Sequence, residues 1–192
     1  MGRIAAALTW CTLIAAIAVP VIAASMSPLL AWRQPVYIAS SFAGIAAMAL
    51  ILFQPLLARS YLPGIALPVS RRIHRWVGAL LVAAVVIHIG GLWITSPPDV
   101  IDALTLTSPT PFSVWGVLAM WCVFAAAGLA AFRRKLALRP RTWRIAHMTL
   151  VAITVAGSVA HALLIEGAME TISKVVLCAL VVIATLVALA KR

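Results

Sequence analysis

Apolar residues come in long unbroken runs along this chain, with neither the alternation of a half-buried strand nor the one-sided stripe of a soluble helix. Six runs, at about 4–24, 36–57, 73–95, 112–132, 142–165 and 172–190, carry almost no charge. Roughly 20 mostly apolar residues span the hydrocarbon core as a helix, and a helix satisfies its own backbone groups where no water can. The pattern predicts an all-α integral membrane protein, a six-helix transmembrane bundle forming one domain over 1–192. Breakers punctuate it: Pro63, Gly64 and Pro68, then Pro97, Pro98, Pro109 and Pro111, then Pro140, since proline and the residue before it resist helical geometry. Ser70 and Thr142 are expected as N-caps of the third and fifth spans. Pro20 falls inside the first span, where a kink is tolerable. A signal peptide is the alternative for the first run, with Arg3 ahead of it and Ala23-Ala24-Ser25 as the cleavage site. The run is longer than a usual signal core, and its leading charge is weak.

Composition agrees with the pattern. Hydrophobic residues make up 65% of the 192 and charged residues 10%, against about half and a quarter in a soluble domain. The net charge is +11, but its distribution argues against nucleic-acid binding. Counted by connector, thirteen Lys and Arg fall on one side of the six spans and two, Arg33 and Lys174, on the other. The positive-inside rule then puts both termini in the cytoplasm, in an inner (plasma) membrane. The four acids, Asp99, Asp102, Glu166 and Glu170, all belong to the opposite side. Cys11, Cys122 and Cys178 sit in apolar runs without a C-x-x-C or C-x-x-C-H pattern, so all three read as buried small apolar residues.

The candidate chemistry lies in the histidines. The chain has only four, His74, His88, His147 and His161, confined to the third and fifth spans, and each pair is 14 residues apart. At about 100° per residue, 14 residues return within roughly 40° of the same face, and they rise roughly 21 Å. Both spans run outward, so His74 and His147 share an inner level and His88 and His161 an outer one. Two imidazoles from opposite sides at each level is the arrangement of bis-histidine haem ligation, with two b haems between the third and fifth helices and the four histidines as axial ligands to haem iron. Ionisable residues inside a span are expensive and point to function. Zinc and di-iron sites want three or four ligands, which two histidines per level do not supply. Glu166, one turn past His161, reads as an ordinary helix-end acid.

Flanking residues add detail. Arg72, Arg75 and Arg144, with Arg71 and Arg141 behind them, are candidates to pair with haem propionates, beside their simple positive-inside role. Gly78, Gly157 and Ala84 lie one turn from a histidine and would let a macrocycle approach, although helix packing is the ordinary use of such residues. Trp32, Trp93, Trp115, Trp76 and Trp143 fall near span ends, as aromatic belts do, and Trp121 lies deeper.

The segment His74-Arg75-Trp76-Val77-Gly78 through His88, followed by His147 and His161 on a later span, resembles the ferric reductase-like transmembrane domain. That family includes ferric reductases, NADPH oxidases and the haem-binding membrane subunit of the bacterial methionine sulfoxide reductase system. The resemblance implies transmembrane electron transfer through two b haems, by an oxidoreductase or its electron-transfer subunit. The sequence holds no G-x-G-x-x-G, so flavin would belong to a partner. The electron donor is then a separate flavoprotein reductase or a membrane quinol. The acceptor is a ferric chelate, oxygen or an extracytoplasmic protein. A di-haem cytochrome b exchanging electrons with quinone is the alternative. A non-redox transporter fits less well, because its broken helices and polar midplane have no counterpart here.

Overall fold

The computed structural model describes residues 2–190; Lys191 and Arg192, counted above on the basic side, lie outside the described residues. All regular structure among these residues is helical. The six spans appear as α1 (Arg3–Ser25), α2 (Pro35–Ala58), α3 (Leu67–Thr95), α5 (Ser113–Ala131), α7 (Pro140–Leu164) and α8 (Thr171–Ala190), each long and apolar enough to cross a membrane. Three short helices fill connectors, a 3-10 turn at Pro28–Leu30 and the α-helices α4 (Pro97–Leu104) and α6 (Arg133–Leu136).

Two expected caps are corrected. α3 starts at Leu67 with Ala66 as its cap, and α7 starts at Pro140 with Arg139 as its cap. Proline in the first turn lacks only an N–H that has no helical partner there, and its fixed φ suits the helix, so Pro68 and Pro140 open these helices instead of stopping short of them. Ser70 is consequently inside α3, fully buried, and its Oγ donates to the Leu57 carbonyl at 2.7 Å.

The packing has a plain order. α2 lies against α3, and α5 against α7, over their most extensive contacts; α8 closes on α2 and α7, and α1 leans on α8 at the edge. α3 and α7, the histidine helices, have no extensive contact with each other. Lipid removes most of the hydrophobic drive between helices, so close approach and interhelical hydrogen bonds must hold the bundle. Leu52, Leu57, Leu177 and Val181 are almost fully buried at its centre. Gly91 lets α3 touch Ser40 of α2, where a Cβ would stand 2.7 Å from the Ser40 Cβ. Gly157 does the same for α7, where a Cβ would stand 2.9 Å from the Trp115 carbonyl of α5. Cys122 and Cys178 are buried as expected, but Cys11 is exposed, because α1 packs only at the edge and turns that face outward.

Candidate functional site

α3 and α7 bring all four histidines together in two pairs. His88 and His161 face each other with ring centroids 6.5 Å apart and planes at 79°. His74 and His147 form the second pair, lying near one another at the other level. α3 and α7 therefore run parallel, with the two levels one 14-residue interval apart, as the spacing predicted. All four rings are half-buried.

The orientation of each ring comes from the neighbouring helix. Nδ1 of His88 lies 2.8 Å from the Ser40 carbonyl, Nδ1 of His161 lies 2.9 Å from the Phe112 carbonyl, and Nδ1 of His74 lies 3.2 Å from the Gln54 carbonyl. A carbonyl only accepts, so in each case Nδ1 carries the proton and Nε2 keeps its lone pair. The remaining interaction is returned at His88, whose own carbonyl accepts from Ser40 Oγ at 2.7 Å. His147 differs: its Nδ1 is buried without a hydrogen bond, and the Ala126 carbonyl faces it without reaching hydrogen-bond geometry.

The sequence reading missed two residues of this arrangement, Gly44 and Gly116. A helical carbonyl points along the axis toward the residue four positions on, so a ring bonded to it rests on that residue. Gly44 follows Ser40 by four and Gly116 follows Phe112 by four. A Cβ at Gly44 would meet the His88 ring at 3.0 Å, and one at Gly116 would meet His161 Nδ1 at 2.7 Å. The matching positions at the other level are Ala58 and Ala130. There the His74 contact is longer, at 3.2 Å, and His147 Nδ1 makes none.

Of the three residues named above one turn from a histidine, packing accounts for Gly157 and Ala84. Gly157 meets α5, Gly78 meets only Gln54 Nε2 at 3.3 Å, and Ala84 is in the core. Arg72, Arg75 and Arg144 are exposed at the level of His74 and His147, with Arg75 next to His74. Trp143 is stacked on His147, centroids 5.1 Å apart and planes at 8°, and the Arg133 guanidinium lies 4.4 Å over the Trp143 ring. At the opposite end Lys174 is buried and donates to the Ile165 carbonyl at 2.9 Å, placing a cation on the end of the helix that carries His161.

The donor set suits haem. Among the described residues no three His, Cys, Asp or Glu side chains gather as a metal cage. Two neutral imidazoles per level fit a group that brings its other donors with it, and b haem is such a group. Two imidazoles ligating one ion at about 2 Å each would hold their centroids roughly 6 Å apart, close to the 6.5 Å at His88 and His161. Backbone acceptors on the far ring nitrogen are the usual companions of a metal-bound histidine.

No curated protein and no solved structure matches the chain significantly. A family model described as ferric reductase like transmembrane component matches residues 43–158. That stretch holds Gly44, His74, His88, Gly116 and His147, and stops three residues short of His161. Covering more than half of the sequence, the match shows that the chain belongs to the ferric reductase like transmembrane component family.

Proposed function

We propose that this chain conducts electrons across a membrane through two b-type haems, one held by His74 and His147 and the other by His88 and His161. Membership of the family suggests transmembrane electron transfer. The observation that carries the finer reading is the facing of His88 and His161, with each Nδ1 committed to a carbonyl and each Nε2 left to bind. When bound, haem supplies reversible one-electron chemistry at iron. The protein's part is to hold the imidazoles neutral, fix their planes, and surround the levels with apolar side chains that keep water out. Arg72, Arg75 and Arg144 stand where propionates of the first haem would need cations.

The positive-inside rule sets the basic end, with His74 and His147, in the cytoplasm of a plasma membrane. A separate flavoprotein or a membrane quinol would donate there, and an acceptor such as a ferric chelate, oxygen or an extracytoplasmic protein would draw from the acidic end. The test is a dithionite-reduced minus oxidised spectrum of the purified protein with pyridine haemochrome quantification. Two b haems per chain are expected, falling to about one in His74→Ala and in His161→Ala. A haem-free protein after expression with ample haem would sink the proposal.

A further inference from the structure

We infer that Trp143 is the positioning residue for His147, holding the ring by stacking where the other three histidines are held by a hydrogen bond. The inference rests on the haem reading above. His74, His88 and His161 each engage a carbonyl of the adjacent helix through Nδ1. His147 alone has a buried Nδ1 with no hydrogen bond, and the Ala126 carbonyl that faces it stays outside hydrogen-bond geometry, so it does not by itself fix the rotation of the imidazole. Trp143 sets it instead, lying parallel to the ring at a centroid distance of 5.1 Å.

The indole is itself anchored from two directions. Trp143 Nε1 donates to the Leu129 carbonyl of α5 at 3.1 Å, and the Arg133 guanidinium lies over its ring at 4.4 Å. An i, i+4 aromatic pair on a helix is often no more than a small helix-stabilising contact. Two features raise this one above that: the residue it touches is the histidine whose Nδ1 makes no hydrogen bond, and the column reaches across to α5 and to the α6 arginine. Trp143 sits at the end of its span, where an aromatic belt residue is ordinary; the stack adds a second role to that position.

The test starts from a parent carrying His161→Ala, which keeps only the His74–His147 level, and a second parent carrying His147→Ala, which keeps only the other. Haem retention is measured by titrating the purified proteins with haem and by the low-spin electron paramagnetic resonance signal, which reports the relative orientation of the two imidazoles. Loss of a group that orients a metal ligand typically weakens binding 10–100-fold. Trp143→Leu in the first parent should therefore weaken haem retention about tenfold and shift the resonance signal. Trp143→Phe, which keeps a stacking ring, should stay near the parent. Trp143→Leu in the second parent should leave haem retention unchanged. Equal losses for Leu and Phe, an unshifted signal, or equal losses at both levels would overturn the inference and leave Trp143 a fold-stabilising residue. If Trp143→Leu does not accumulate, Arg133→Gln at its exposed site decides: a weaker His74–His147 level alone supports the column, and no change overturns it. A first parent that binds no haem, while unmodified protein binds none either, would mark failure of the haem reading itself.

Discussion

Gly116→Ala is the sharpest probe of how the bundle holds its histidines. The new Cβ would stand 2.7 Å from His161 Nδ1 and 3.0 Å from Cε1, closer than side-chain atoms pack. The imidazole must swing away and give up the Phe112 carbonyl, or α5 and α7 must separate. Either response is overpacking, typically about 1–3 kcal/mol, and a lost hydrogen bond of about 1 kcal/mol falls within that range. Alanine also favours helix over glycine by about 1 kcal/mol, which partly offsets the loss. Gly128→Ala is the internal control: the same change on the same helix, at a position where a Cβ meets nothing within 4 Å. Both variants share the propensity gain, so they should separate by about 1–3 kcal/mol. Gly44→Ala, where the clash with His88 is 3.0 Å, should fall between them. Reversible unfolding in detergent measures the difference, and haem content should follow it, a tenfold change in retention corresponding to about 1.4 kcal/mol. Equal stability and equal haem content for Gly116→Ala and Gly128→Ala would refute the idea that the glycine is there to admit the ring.

Gly157→Ala should destabilise the bundle by about 1–3 kcal/mol, because its Cβ would press on the Trp115 backbone at 2.9 Å, whereas Gly78→Ala should be tolerated, its one neighbour being the flexible end of Gln54; detergent unfolding compares them. Glu170 caps α8, its carboxylate accepting from the backbone N–H of Ile172 and Ser173 at 2.7 Å each, and these bonds hold its pKa below the ordinary glutamate value. A lowered folded pKa means the cap adds stability above the unfolded pKa and loses it as pH falls through the folded one. Thermal unfolding of wild type should therefore drop in acid more than that of Glu170→Gln, and parallel pH profiles would refute the cap.

What the sequence disclosed and what it hid divide along one physical line. The histidines were legible because there are four of them in 192 residues and their spacing is a helical period. Span existence was legible because lipid demands a long apolar run. The helix starts were misread at Ser70 and Thr142 because a proline that ends one helix also opens another well, and hydropathy does not separate the two. The acceptors at Ser40, Gln54 and Phe112 were invisible because a carbonyl belongs to every residue; only the glycines four positions on leave a trace, and that trace has meaning only once the histidine spacing is known. Trp143 looked like a belt residue because its partner Nδ1 had to be seen without a hydrogen bond before the stack mattered.

The carbonyls that face the rings repeat the ligands' interval: Ser40 and Gln54 on α2 are 14 residues apart, as are Phe112, the cap of α5, and Ala126, which faces His147 without bonding it. Gly44 and Gly116 are 72 residues apart, as are Ser40 and Phe112, while His74 and His147, like His88 and His161, are 73 apart. The α2–α3 and α5–α7 hairpins thus follow one plan twice, related about an axis along the membrane normal, an arrangement known for parallel repeats in membrane proteins. Each hairpin orients its own histidines, and the two meet where α3 passes α5 and where the rings face each other. The lack of extensive contact between α3 and α7 then has a cause. Those helices need not hold each other, because α2 orients the rings of α3, and α5 together with Trp143 those of α7. Substitutions on α2 should accordingly disturb His74 and His88 and leave His147 and His161 in place, while those on α5 should do the reverse.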